Sequence, residues 1–362
     1  MNPFDSDKSK RRVTLKVLAQ HLGLSRTTIS IVLNDAPQAK TISVQTRNRI
    51  LQAAKDFNYR PNFLARSLND GRSYLIGIIS PDLSEGYTSG LLAGIEQFLL
   101  GTEYQFFIAS HHWSEMRIQR TAKLFAERSV EGIIMVNTPY QFEVDVPTVQ
   151  IGRQLVEPTG TLLTVDNHLG VLRAMRHLVD LGHHKIAFIR GHKDSVDSED
   201  RWDAVLDAAQ QLAITIDPSL AVRLERLDVF SLSAMEEGAR CADQLMDHRG
   251  EFTALMAFND MSAIGAIARL RDAGWSIPSE VSVVGFDDIL EARISYPALT
   301  TIQQPLRIMG ETAASELISA ILHGYNRQTI VFSPNLIIRD STAQARTVTK
   351  RYQRQVPRIS AD

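Results

Sequence analysis

The chain has 362 residues, 44% hydrophobic and 22% charged, enough apolar material for two or three domains with buried cores, which excludes a disordered polymer. A single cysteine, Cys241, forbids an intrachain disulfide, and nowhere do about 18 apolar residues run together, so a disulfide-built secreted scaffold and a membrane span both fall away. The formal net charge of −2 hides an asymmetry: Met1–Arg72 carries 13 Lys+Arg against 5 Asp+Glu, and the remaining 290 residues carry 26 against 36. A small basic head suited to polyanions precedes a larger acidic body. The opening MNPFDSDKSKRR has no apolar stretch behind it, so no signal peptide and a cytoplasmic location are expected.

In the head, LKVLAQHLGLSRTTISIVL (15–33) breaks helical periodicity once, at Gly23, which predicts two short helices joined by a tight turn. Ala19 is small enough for the helices to cross closely, and Gly23 can take a turn conformation without Cβ strain. Counted from Leu15, Ala19, Gly23, Ile29 and Val32 stand at positions five, nine, fifteen and eighteen, the spacing that packs a helix-turn-helix. Ser25 can cap the second helix, whose early side chains Arg26, Thr27, Thr28 and Ser30 are polar, as a helix entering a major groove requires. A third helix is predicted over 43–58, with Ile50, Leu51, Ala54 and Phe57 as its apolar stripe. Then Pro61 starts and Gly71 stops a segment of about eight helical residues, too short to be stable alone in water and therefore expected to fold fully only when docked on DNA.

From Tyr74 the pattern changes to short, nearly continuous apolar runs alternating with amphipathic stretches: YLIGIIS, QFFIAS, GIIMVN, TVQIG, KIAFIRG, ALMAFND and VSVVGFDD. Strands buried on both faces of a parallel sheet read this way, and the number of units calls for two similar lobes. Ligands of such sheets bind outside the carboxyl ends of the strands. Polar residues recur there at Pro81-Asp82, Gly152-Arg153, Asp166-Asn167, Asn259-Asp260 and Asp287-Asp288, with Arg201 expected to open a helix after a polar loop. A convergence of carboxylates, amide and guanidinium suits a hydroxyl-rich ligand. Of the pair Asp287-Asp288, one is expected to bind ligand and the other to cap the next helix.

VTLKVLAQHLGLSRTTISIVLND followed by NYRPNFLARSL resembles the DNA-binding headpiece of the LacI/GalR (lactose repressor/galactose repressor) family of bacterial transcription factors. The blocks LVDLGHHKIAFIRG, FNDMSAIGAIARLRDAGWSIPSEVSVVGFDD, PALTTIQQP and NLIIRDST extend the resemblance through residues 13–342. It implies an α/β protein with an N-terminal all-α helix-turn-helix headpiece (13–60), a hinge helix or linker (61–72) and a two-lobed parallel-sheet domain like a periplasmic binding protein (73–342), before a polar basic tail (343–362). By position, Arg26, Thr27 and Ile31 would read bases, with Thr28 and Ser30 placed for phosphates. Asn62 and Ala65 would face DNA with Leu68, the wedge that paired hinges push into the minor groove. Effector contacts would be Ser80, Tyr87, Gly152, Asp197, Arg201, Asn259, Asp287 and Gln304, with Phe230 as a further wall. Ile31 departs from the polar residue common at its position, and PDLSEGYTSG lacks the family's paired aromatics.

The resemblance implies a homodimer on a palindromic operator, controlled by a small effector. A sugar or sugar derivative is the first expectation, and a purine-like ligand the second. No cofactor, catalytic residue or metal ligand is expected: His111-His112 and His183-His184 are adjacent residues that rarely chelate one ion. The strings G-x-G-x-x-G, Walker A, G-x-S-x-G and H-E-x-x-H do not occur, which leaves a sugar- or nucleoside-processing enzyme resting on fold analogy alone. A transport solute-binding protein would need the signal peptide.

Overall fold

A computed structural model describes residues 13–34, 36–59, 71–138, 144–152, 160–193, 195–225, 233–324 and 327–346. The chain divides into two units, Met1–Ser73 and Tyr74–Asp362.

In the first unit, α1 (Leu15–Leu22) stops at Gly23, whose φ of 66° is left-handed. A Cβ there would touch nothing within 4 Å, so Gly23 serves by backbone conformation and not by packing. The next helix, α2 (Arg26–Leu33), starts where the Ser25 hydroxyl accepts the Thr28 N–H. Ser43 caps α3 (Val44–Asp56) in the same way through Thr46. Leu18, Ile29, Val32, Ile50 and Ala53 form the core between the three helices. Leu51, expected in that stripe, is 52% exposed. Ala53 takes the inner place because it lies one turn from Ile50, whereas Leu51 is rotated about 100° away. Between α2 and α3, Pro37–Thr41 winds into a 3-10 turn that buries Ala39, so part of the long connection joins the core.

The second unit has two lobes. Lobe one begins with β1 (Leu75–Ser80), α4 (Gly86–Leu99), β2 (Gln105–Ser110), α5 (Glu115–Glu127), β3 (Gly132–Val136), β4 (Thr148–Ile151) and β5 (Thr161–Val165). The chain then crosses to lobe two: α6 (Asn167–Asp180), β6 (Ile186–Arg190), α7 (Val196–Gln211), β7 (Ala221–Arg223), α8 (Ala234–Leu245), β8 (Ala254–Ala257), α9 (Asp260–Asp272), β9 (Ser282–Asp287), α10 (Leu290–Ile294) and β10 (Thr300–Gln303). It returns for α11 (Leu306–His323) and β11 (Thr329–Phe332), and ends in lobe two with β12 (Asn335–Ile337). The sheet orders are β11-β5-β4-β3-β1-β2 and β12-β10-β9-β8-β6-β7, parallel apart from the β10–β12 pair. Three crossovers therefore join the lobes.

Strands β1, β3, β4, β8 and β9 are buried throughout, as continuous apolar runs require. QFFIAS behaves otherwise: β2 is an edge strand, and its burial alternates, with Phe107 43% exposed. The short β7, β11 and β12 lie at the other sheet edges, where few apolar residues are needed, so hydrophobicity alone did not mark them as strands.

Each lobe is clamped by one helix pair that touches through glycine. A Cβ on Gly94 of α4 would lie 2.0 Å from the Arg307 carbonyl oxygen of α11, and one on Gly310 would lie 2.1 Å from that of Leu91. In lobe two, a Cβ on Gly265 of α9 would lie 1.8 Å from the Met235 carbonyl oxygen of α8. Backbone cannot yield as a side-chain tip can, so these helices would have to separate. Gly94→Ala and Gly265→Ala should each destabilise the body by about 3 kcal/mol or more in urea unfolding, and losses below about 0.5 kcal/mol would show that the pairs tolerate a wider spacing.

Candidate functional site

On the headpiece, Ser25, Arg26 and Thr27 are exposed at the start of α2, while Thr28, Ser30 and Ile31 are half-buried beside the core residues Ile29 and Val32. Thr28 shares its hydroxyl with Ser25 at 2.8 Å, and Ser30 accepts from Asn34 Nδ2 at 3.2 Å. Among the described residues, the free donors at the leading edge are thus those of Arg26 and Thr27. Lys16, Lys40, Arg49 and Lys55 are also exposed on this unit. Asn62, Ala65 and Leu68 lie outside the described residues, as do Arg153 and Phe230 of the body.

In the body, both sheets aim the carboxyl ends of their strands at one cleft. Lobe one supplies Asp82, Glu85, Tyr87, His112, Trp113 and Asn137, from the segments after β1, β2 and β3. Lobe two supplies His192, Asp197, Arg201, Phe258, Asn259 and Asp287, from those after β6, β8 and β9. These are the ends flanking the switch in strand order of each sheet, where a crevice opens by topology. The space in the cleft is about 130 Å³; with roughly 10–15 Å³ needed per water on this scale, it holds a monosaccharide-sized group.

Of the sequence-derived contacts, Tyr87, Asp197, Arg201, Asn259 and Asp287 meet around this space. Ser80 does not reach it: the residue is fully buried, and its hydroxyl pairs with Thr88 at 3.1 Å and donates to the Asp82 carbonyl. Gly152 stands behind the wall with φ at 105°, and a Cβ there would lie 2.1 Å from Asn137 Oδ1, so its lack of a side chain makes room for Asn137. Gln304 acts one step back, donating Nε2 to Asp287 Oδ1 at 2.7 Å. Arg201 does not open its helix, because α7 starts at Val196 and places Arg201 in its second turn. Asp288 caps no helix: it accepts from Gln303 at 2.7 Å and pairs with Arg293 and Arg339. The helix that follows is α10, and its N-cap Ile289 offers no side-chain bond.

Sequence reasoning missed Asn137, Trp113, His112 and the buried His192–Glu237 pair, in which Nε2 and Oε2 are 2.9 Å apart. Asn137, Trp113, His112 and Asp287 all have positive φ, at 41°, 60°, 44° and 127°. Such conformations cost on the order of 1–3 kcal/mol each and gather where the surrounding fold enforces them. No composition or periodicity reports them.

Arg201 is fixed from every side. Nε donates to Asn167 Oδ1 at 3.1 Å, Nη1 donates to the Phe258 carbonyl at 2.7 Å, and Nη2 faces Asp287 at 3.9 Å. The guanidinium also stacks 3.9 Å over the Phe286 ring and 4.6 Å over Phe258. Burial holds the Asp287 carboxyl well above the usual carboxylate range, against the opposing pull of Arg201. Burial, then the charges of Asp197 and Asp287, likewise raise the Tyr87 phenol, which stays neutral.

Behind them, burial pushes Asp260 up to about 6 from the usual 3.8, although Thr301 and the Ile289 N–H donate to it. Its folded-state value exceeds the unfolded one, so the folded chain keeps the proton longer and this group lowers stability as pH rises from about 4 to about 6. In Asp260→Asn, the melting temperature should therefore fall less steeply between pH 4 and 7 than in the wild type; parallel curves would show that Asp260 ionises in the fold without penalty.

Residues 14–62 match the model of bacterial regulatory proteins of the lacI family, and residues 175–342 match a periplasmic binding protein-like domain. The regulator RegA of Clostridium saccharobutylicum is 30% identical over 338 residues, covering 91% of this chain and 99% of the relative. The repressor PurR of Haemophilus influenzae is 28% identical over 341 residues, covering 91% and 98%. Among solved structures, a CelR–cellobiose complex matches at 26% identity with a TM-score of 0.67, covering 91% of this chain and all of that one. A lac repressor dimer bound to operator and anti-inducer has the same fold, with a TM-score of 0.78 at 24% identity over 92% of this chain and all of that one. With a headpiece, a two-lobed body and full-length relatives of this kind, the chain belongs to the lacI family of bacterial regulatory proteins.

Proposed function

We propose that this protein is an operator-specific transcriptional repressor whose hold on DNA is set by a small polyhydroxylated effector in the cleft between the lobes. The observation that carries the reading is the polar cleft built on Arg201 and Asp287, in a chain whose first unit offers a capped helix with Arg26 and Thr27 exposed at its leading end. A guanidinium fork and a carboxylate are the groups that best hold vicinal hydroxyls. The relatives agree with a sugar: CelR was solved with cellobiose, and a ribose operon repressor of Haemophilus influenzae is 26% identical.

In this reading residues 13–60 are the DNA-binding headpiece, 61–72 the hinge, 73–342 the effector-binding and dimerising body and 343–362 a tail. Arg26 and Thr27 read base edges, Ile31 offers only apolar contact such as a thymine methyl, and Ser25, Thr28 and Ser30 serve the backbone. A homodimer would place two such helices on a palindromic site. Leu290, Ile294 and Tyr296, 68%, 74% and 79% exposed on and after α10, form an apolar patch suited to that contact. Tyr87, Asp197, Arg201, Asn259 and Asp287 contact the effector, with Gln304 positioning Asp287. The effector acts by preferring one lobe arrangement over the other.

A second reading has a purine-like effector. Tyr87, Trp113 and Phe258 line the cavity and could hold a flat ring, and PurR is among the relatives.

Arg26→Ala should weaken binding to an upstream palindrome about 5- to 150-fold, corresponding to about 1–3 kcal/mol, and narrow the gap over random DNA in fluorescence anisotropy. Equal affinity of the wild type for palindromic and random DNA, with and without sugars, would refute the function itself. Asp287→Asn retains the acceptor for Gln304, so operator affinity without effector should stay within about twofold, while release by the sugar found in a thermal-shift screen should need at least tenfold more of it. Unaltered release would remove Asp287 from the effector site.

A further inference from the structure

The wall of the cleft is unevenly charged. Among the described residues, Asp82, Glu85, Asp197, Glu237 and Asp287 line the cavity, with one guanidinium and the two imidazoles of His112 and His192. Among the described residues these nitrogen groups already have acidic or hydroxyl partners. Arg201 gives Nε to Asn167 and one Nη1 donor to Phe258 and stacks on two rings, while Nη2, 3.9 Å from Asp287, is left for an effector hydroxyl. His192 is paired with Glu237, and His112 Nε2 meets the Ser110 hydroxyl at 2.9 Å.

Helix N-termini are the other seats for an anion, because their unpaired N–H groups and dipole favour negative charge. Four helices begin at this cleft, and the chain's own acceptors stand at each beginning. Glu85 is the N-cap residue of α4, Asp197 and Glu199 lie in the first turn of α7, α8 has Glu236 and Glu237 in its first turn, and α9 has Asp260 in its first turn while Asn259 Oδ1 accepts the Ser262 N–H. The one buried polar atom of the cavity lining without a hydrogen-bond partner among the described residues is an acceptor, Asn137 Oδ1. Burial raises the Asp287 carboxyl against the pull of Arg201, and Asp260 and Glu85 add to the rise.

Resting on the reading of this cavity as the effector site, we propose that the effector is a polyol without phosphate or carboxylate, and that a protonated amino group on it strengthens binding. Phosphorylated sugars, uronic acids and nucleotides are disfavoured by the wall: among the described residues Arg201 is its one guanidinium, and the carboxylates of Asp82, Glu85, Asp197 and Glu237 oppose their charge. An ammonium finds carboxylates on both lobes, and an uncharged sugar exchanges hydroxyl bonds with the same groups.

Two measurements on the full chain test this. The first is collisional quenching of Trp113, which lines the cavity, taken as the difference between wild type and Trp113→Phe. Relative to a free tryptophan amide, caesium should quench Trp113 several-fold better than iodide, and the ratio should drop in Asp197→Asn/Glu237→Gln. Iodide quenching as good as caesium would overturn the charge selection. The second is calorimetric titration with matched series, glucose, galactose, mannose and ribose, each as parent, amine and phosphate, with the uronates of the hexoses. Every parent that binds should have an amine at least as tight and a phosphate at least tenfold weaker. A phosphate or uronate as tight as its parent overturns the proposal. Silence across all series together with caesium-selective quenching would overturn the polyol and leave the exclusion of anions standing.

Discussion

Three aspartates crowd the carboxyl end of β9 and the start of α9, and each has left water. An unpaired buried carboxylate is costly, so each must be met by donors, and here those donors come from separate parts of the chain. Asp260 is met by the Ile289 N–H and the Thr301 hydroxyl, Asp287 by Gln304 with Arg201 beside it, and Asp288 by Gln303, Arg293 and Arg339. Satisfying these three groups fastens β9, β10, α7 and the segment after β12 to one another. The cleft is a by-product of that fastening, because the same pairing aims Asp287 and Arg201 into the space between the lobes.

Gln304 gives the arrangement a consequence for motion. It lies just past β10, on a stretch that leaves lobe two for α11 of lobe one, and its amide holds the carboxylate that faces the cavity. A change in lobe angle is absorbed at such crossovers, since the helix pairs within each lobe touch through backbone and cannot slide apart cheaply. In the proposed reading, ligand contact and lobe arrangement would therefore share Asp287. A ligand that draws on this carboxylate also acts on the crossover, which is the differential contact that population shift demands.

The headpiece solves a smaller problem with fewer means. Its core rests on five buried side chains, and its helix starts depend on Ser25 and Ser43 to satisfy otherwise orphaned N–H groups. With so little apolar area, the polar leading edge of α2 can remain outward only because Ile29 and Val32 anchor its opposite face.

By itself the amino-acid sequence determined what depends on local periodicity and on the chemistry of single residues: the helix-turn-helix with its glycine turn and serine cap, the parallel-sheet body from its continuous apolar runs, and the strand-end groups Tyr87, Asp197, Arg201, Asn259 and Asp287. It misplaced Leu51 and the continuity of β2, because a residue's angle on a helix and a strand's place at a sheet edge follow from neighbours distant in sequence. Only the tertiary structure decided that Ser80, Gly152 and Gln304 stand behind the wall, that Asn137, Trp113 and the His192–Glu237 pair stand in it, and that Arg201 is anchored by Asn167 and the Phe258 carbonyl. Those outcomes depend on which side chains from separate strands compete for the same donors and the same space, and that competition begins only when the two sheets face each other.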